Sequence, residues 1–238
     1  MTTPNDLRRR VREKYARSDP IWDTEDLWHG QILRHIDSAV LAFAQSLSTQ
    51  PGNILDVGSG GRRQHIPNAS YVQVDIEESR LAKQPGAVVA DAHALPFSDN
   101  TFDAVVSVGP VLNYCSLIEV VFELSRVCRP HGLLLLHVEL SNSLEFLFTN
   151  LRGKDAAMIE TLYRGGDQQW IYSDRLLRDA LRNASLRITR SRYFMIAPAL
   201  GKRLGLTHRA ATRLSWIDRF VSWLPGIGGV SDSVIVTC

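Results

Sequence analysis

Three aspartates carry the first chemical signal in this chain. Asp56 ends the run Ile54-Leu55-Asp56, Asp75 ends Tyr71-Val72-Gln73-Val74-Asp75, and Asp91 ends Ala87-Val88-Val89-Ala90-Asp91. Aspartate is disfavoured in strands and costly to bury without partners. Three apolar runs that each stop on one predict strand ends whose carboxylates meet at a single rim. Such a rim would receive hydroxyls, an exocyclic amine or a cation. Asp75 follows Asp56 by nineteen residues, a spacing that lets a second parallel strand offer its carboxylate to ribose hydroxyls. Directly after Asp56 and Val57 come Gly58-Ser59-Gly60-Gly61. Glycines there can take positive φ and let the backbone approach a ligand closely. A dinucleotide fingerprint needs glycine at the first, third and sixth places. Counting from Gly58, the sixth place is Arg63, so that fingerprint fails.

Other reactive residue types give weaker signals. Cys115, Cys128 and Cys238 are odd in number and lack a Cys-x-x-Cys spacing, so neither a disulfide framework nor a zinc site is indicated, and no metal is expected. A reducing, cytoplasmic setting is the expectation. Arg8, Arg9, Arg10 and Arg12 are not followed by an apolar segment, which speaks against a secretory signal. The uncharged run over residues 104–118 is interrupted by Gly109-Pro110 and is too short to span a bilayer.

The elements that would position these groups follow from periodicity. Residues 1–50 read as an N-terminal helical arm or cap. Its basic start reads as a solvated face, and residues 24–47 read as an amphipathic helix with Thr24 as its cap. Phe102-Asp103-Ala104-Val105-Val106-Ser107-Val108 and Leu133-Leu134-Leu135-Leu136-His137-Val138 are near-continuous apolar strands, as buried parallel sheets require. Between them Val120, Val121, Leu124 and Val127 recur at helical spacing. Ser173 is placed to cap a helix reaching about residue 183, residues 186–194 read as a sixth strand, and Ser233-Val234-Ile235-Val236-Thr237 as a final one, fitting antiparallel pairing. This alternation predicts an α/β fold: a doubly wound, Rossmann-like, mostly parallel sheet of about seven strands with helices on both faces. The 238 residues, 45% hydrophobic and 22% charged with net charge +2, suit one large globular domain over residues 51–238, carrying an insertion at about 198–229.

Five segments in order resemble the class I S-adenosylmethionine-dependent methyltransferases, more narrowly their small-molecule, methyltransferase type 11-like branch. They are Ile54-Leu55-Asp56-Val57-Gly58-Ser59-Gly60, Val74-Asp75-Ile76, Ala90-Asp91-Ala92-His93-Ala94-Leu95-Pro96-Phe97, Phe102-Asp103-Ala104-Val105-Val106, and Leu124-Ser125-Arg126-Val127-Cys128-Arg129-Pro130-His131-Gly132. The resemblance covers residues 53–140 well and the remainder in outline. It implies S-adenosyl-L-methionine as cofactor, with Gly58, Ser59 and Gly60 along its methionine part and Asp75 on both ribose hydroxyls. It also implies Ile76 beside the adenine, Asp91, Ala92 and His93 meeting that base, and Asp56 near the incoming sulfonium and ammonium. Two departures stand out. The family's third glycine, two places after Gly60, is here Arg62, and Asn113-Tyr114 replaces the acid followed by His that many relatives show after the fourth strand.

The acceptor is less well defined. Val108-Gly109-Pro110-Val111 lacks the Asn or Asp, two prolines and aromatic typical of base-amine methylation. His137 and Glu139 are expected on the acceptor rim, with His137 the candidate base because its ordinary pKa lies close to neutrality. Residues 174–219 contain eleven Arg or Lys against three Asp, and Trp216, Phe220 and Trp223 form an aromatic stripe. That region reads as a lid on its own core or as a surface for an anionic, lipid-linked or peripheral-membrane substrate. The resulting expectation is methyl transfer to an oxygen or nitrogen of a small molecule. The alternatives are a cofactor-binding regulatory protein without turnover and an RNA methyltransferase, with nucleic acid ranked below a small-molecule partner. The sequence does not indicate an oligomeric state.

Overall fold

The computed structural model describes residues 4–17, 26–47, 52–64, 66–67, 69–82, 84–161, 167–221, 224 and 226–238. Two N-terminal helices, α1 (Pro4–Arg17) and α2 (Leu27–Ser46), precede the sheet. Asp26 caps α2 by accepting from Trp28 N at 2.8 Å, while the expected cap Thr24 lies outside the described residues.

β1 (Asn53–Val57), β2 (Ser70–Asp75), the short helix α3 (Glu78–Leu81), β3 (Val88–Val89) and β4 (Phe102–Ser107) follow. Then come α4 (Leu117–Val127), β5 (Cys128–Glu139), a hairpin of β6 (Ala156–Thr161) and β7 (Asp167–Tyr172), α5 (Asp174–Asn183) and β8 (Arg190–Phe194). Three short helices, α6 (Ile196–Arg203), α7 (His208–Thr212) and α8 (Asp218–Val221), lead to β9 (Ser233–Thr237). The seven-stranded sheet runs β3-β2-β1-β4-β5-β9-β8. β1 to β5 pair in parallel, and β9 runs antiparallel between β5 and β8. The chain reverses direction across the sheet between β1 and β4, the position where open α/β sheets form a ligand crevice.

Strand alternation divides the core into two layers. Leu55, Val105, Leu134 and Leu136 pack with α4 and α5 on one face, whereas Ile54, Ala104, Val106 and Leu135 pack with Ile32, Ile36, Val40 and Phe43 of α2 on the other. That division decides which polar residues at the strand ends reach the crevice.

The elements match the expected α/β fold, with three differences. β3 is two residues long, because β2 pairs only with Val88 and Val89. The helix α4 passes directly into a twelve-residue β5 that begins at Cys128. The β6–β7 hairpin is a separate two-stranded sheet that the apolar pattern did not announce.

Candidate active site

A cavity opens at the carboxyl ends of β1, β2 and β4. The turn after β1 forms its floor. Gly58, Gly60 and Gly61 have φ of +73°, +58° and +77°. Gly58 is required on a second count, since a Cβ there would fall 2.4 Å from Val111 Cγ2. The turn folds back on β2, with Gly58 N and Ser59 N both donating to Val74 O at 2.8 and 3.1 Å.

Asp75 holds the two loops that meet at the floor. Gly60 N donates to Asp75 Oδ2 at 2.7 Å and Glu77 N donates to Asp75 Oδ1 at 2.9 Å. Burial raises its pKa above the usual carboxylate range, against these backbone donors. Each carboxylate oxygen keeps a lone pair beyond the one used, so Asp75 can still accept from ligand hydroxyls.

At the opposite end, Asp91 Oδ1 accepts from His93 N at 2.9 Å and pairs with His93 Nδ1 at 2.6 Å. Ser116 N donates to His93 Nε2 at 3.0 Å, which assigns the ring hydrogen to Nδ1, facing Asp91. Arg8 Nε lies 3.2 Å from Asp91 Oδ2. Burial alone would raise Asp91, but the His93 hydrogen bonds and the Arg8 charge outweigh it and hold the pKa below the usual range.

Asp75, Ile76, Asp91, Ala92, His93, Gly58, Ser59 and Gly60 thus all line one cavity, as expected. Asp56 does not. It shares a strand face with Ile54, so alternation turns its carboxyl toward the α2 layer, where Tyr71 Oη donates to Asp56 Oδ2 at 2.6 Å. Only 1% exposed, it has its pKa raised by burial to about 7, against the Tyr71 hydrogen bond. Two aspartates reach the rim, and the third anchors β1 to β2.

His137 is a second correction. It lies on the face of Leu135, fully buried, 5.7 Å from the ring of Phe194, with Nδ1 bonded to Gly109 O at 2.8 Å. Burial lowers its pKa to about 4, only partly offset by the Gly109 contact, and it lines no part of the cavity. A group so placed cannot collect a proton from an acceptor. The departure at Asn113 also proves structural: its Nδ2 donates to Glu139 O at 3.0 Å and Trp170 O at 2.8 Å, while Oδ1 accepts from Glu139 N at 3.0 Å.

Sequence reasoning missed the roof. Arg8, Val11 and Tyr15 of α1 line the cavity with Tyr114 and Cys115. Lys14 Nζ donates to Tyr114 Oη at 2.9 Å, Arg80 Nε to Tyr15 O at 2.7 Å, and the Tyr15 and Tyr114 rings meet edge to face at 6.0 Å. Leu7 and Val11 are buried apolar positions four apart within the basic run, the one signal that could have revealed the inward face. Arg62, in the place of the missing glycine, also lines the cavity and pairs with Asp37 of α2 at 2.6 Å.

Residues 55–136 match the family model described as a methyltransferase domain, about a third of the chain. Among curated proteins, the chain is similar to malonyl-[acyl-carrier protein] O-methyltransferase of Methylococcus capsulatus, 31% identical over 117 residues that cover 42% of each chain. An uncharacterized protein of Methanocaldococcus jannaschii is 29% identical over 103 residues, 41% of each. The matched stretch spans about two fifths of the length of these relatives. Among solved structures, the Burkholderia thailandensis 1,6-didemethyltoxoflavin-N1-methyltransferase superposes with a TM-score of 0.60 at 15% identity, covering 100% of this chain and 90% of its own. The [4+2]-cyclase SpnF shares the fold too, with a TM-score of 0.52 at 18% identity over 84% of this chain and 79% of its own.

Proposed function

We propose that this chain binds S-adenosyl-L-methionine in the cavity described above and promotes methyl transfer to an oxygen or nitrogen of a small molecule. The observation that carries the reading is Asp75, whose two oxygens tie the glycine turn to the loop after β2 on the floor of a cavity that ends at the Asp91–His93 pair. The residues fit the cofactor. A close-approach glycine turn suits its methionine end, a carboxylate with spare lone pairs suits a diol, and Ile76 and Ala92 supply apolar walls for a base. When bound, the cofactor supplies an electrophilic methyl group.

The chain's own residues contribute positioning and exclusion of water. Asp75 fixes the floor, α1 with Tyr15 and Tyr114 closes the roof, and Val108, Pro110 and Val111 line the apolar wall after β4. Holding donor and acceptor in line can remove a large part of a barrier without a strong base. That suits a cavity whose lining imidazole, His93, has both ring nitrogens engaged and whose thiol, Cys115, is pushed up to about 12 by burial.

The engaged imidazole and masked thiol equally suit a protein that binds the cofactor without turnover, the one rival reading a specific observation favours. Incubating the full chain with methyl-tritiated cofactor and a cell extract separates them. Label entering a small-molecule fraction supports the proposal, label entering only RNA would replace its acceptor, and no label despite measurable cofactor binding would favour the rival.

A further inference from the structure

The helices over residues 196–221 carry an outward face that neither the cofactor cavity nor the core uses. From His208 to Val221 the backbone continues as one helical stretch, α7 passing through a 3₁₀ turn (Arg213–Trp216) into α8, with Thr212, Arg213 and Ile217 all at right-handed helical angles. Ala211, Thr212 and Asp218 point inward and are buried. Arg209, Arg213, Trp216 and Phe220, spaced four, three and four apart, are all exposed on the other side.

The face is held in place from beneath. Asp218 accepts from Ile196 N at 3.1 Å and Ala197 N at 2.9 Å, locking α8 to the start of α6. Gly201 of α6 packs so closely that a Cβ there would stand 2.9 Å from Leu214 Cδ1. Lys202 is bound to Glu145 at 2.6 Å and lies 5.4 Å from the Trp28 ring, fastening the assembly to α2.

Its chemistry is both apolar and cationic. Trp216 is 62% exposed, Phe220 60% and Leu204 74%, and Leu206 and Leu224 are also exposed. Arg203, Arg209, Arg213 and Arg219 are exposed and form no ion pair among the described residues. Asp218 is the sole acid between residues 196 and 230, and it is buried. Aromatic and leucine side chains beside unpaired arginines match the interfacial region of a bilayer, where rings sit at headgroup depth and guanidinium groups meet phosphates. Nucleic acid fits less well. The Trp216 and Phe220 rings already meet at 6.1 Å with an 85° interplanar angle, and three leucines offer bases nothing to stack on.

We infer that this face docks the protein reversibly on an anionic phospholipid surface. The inference is independent of methyl transfer and stands or falls on binding alone. The full chain is sedimented with vesicles of phosphatidylcholine, or of phosphatidylcholine with phosphatidylglycerol, and titrated with a homopolymer RNA. The expected result is binding to the anionic vesicles only, weakened by salt. Binding should fall by roughly tenfold or more in Trp216→Ser/Phe220→Ser, which removes the inserting rings, and in Arg209→Glu/Arg213→Glu, which reverses two charges facing the phosphates. Far-UV circular dichroism and urea unfolding, unchanged in both variants, report that each is folded. No binding to either vesicle, equal binding by the variants, or binding to the RNA in place of vesicles would overturn it.

Discussion

Asp75 is the residue on which the proposed cofactor site turns. It receives Gly60 N and Glu77 N while buried, so its removal opens two donors and loses any contact to ligand hydroxyls. Asp75→Ala is expected to weaken S-adenosylmethionine binding by about 1–3 kcal/mol, read by calorimetry, with the fold intact by circular dichroism. His137 supplies a contrasting prediction. Its pKa in the folded protein is about 4, below the ordinary value of 6.5, so between these pH values the unfolded chain takes up a proton that the native protein refuses. Stability conferred by the neutral ring is therefore complete above pH 6.5 and is lost as pH falls toward 4. The loss amounts to up to about 3 kcal/mol for the one group. In His137→Gln the fall in urea stability across that window should be shallower, although His35, also lowered to about 4 by burial, leaves part of it. The pH profile of methyl transfer should not change, whereas loss of a limb near neutrality would restore His137 as a base.

Among the elements, the loop after β4 depends on Asn113. One buried side chain joins it to β5 and to the β6–β7 hairpin through three partly buried hydrogen bonds. Asn113→Ala should cost about 2–4 kcal/mol in urea unfolding, the desolvation of several stranded backbone groups. Asn113→Asp should fare no better, because a carboxylate would face the carbonyls of Glu139 and Trp170 where the amide now donates. Stability equal to wild type in the aspartate variant would contradict the clamp. The same arrangement marks what could be read from the residues alone. β1, β2, β4 and β5 were legible because long apolar runs leave few alternatives, and Asp75 and Asp91 were legible because they end such runs. Asp56 and His137 were misplaced because a run buried on both faces does not reveal which face a polar residue takes. The β6–β7 hairpin was hidden by Met158, Glu160, Gln168 and Gln169, which mix polar and apolar positions without strict alternation. The roof escaped because two apolar residues, Leu7 and Val11, are outnumbered by arginines in α1.

For the whole molecule, the sheet brings the strand-end elements of the proposed cofactor site to one edge. Glycine turn, Asp75, Asp91 and the β4 loop come from four separate strand ends, so a shared ligand would tie them together and stabilise the fold by mass action. The dinucleotide alternative makes different demands. Its pyrophosphate needs free backbone donors at the glycine turn, but Gly58 N, Ser59 N and Gly60 N are already given to Val74 and Asp75. The most direct test is calorimetric titration of the full chain with S-adenosylmethionine, S-adenosylhomocysteine and the nicotinamide dinucleotides in parallel. Saturable binding of the first two, with no heat from the dinucleotides, is the predicted result. Binding of a dinucleotide alone would contradict it.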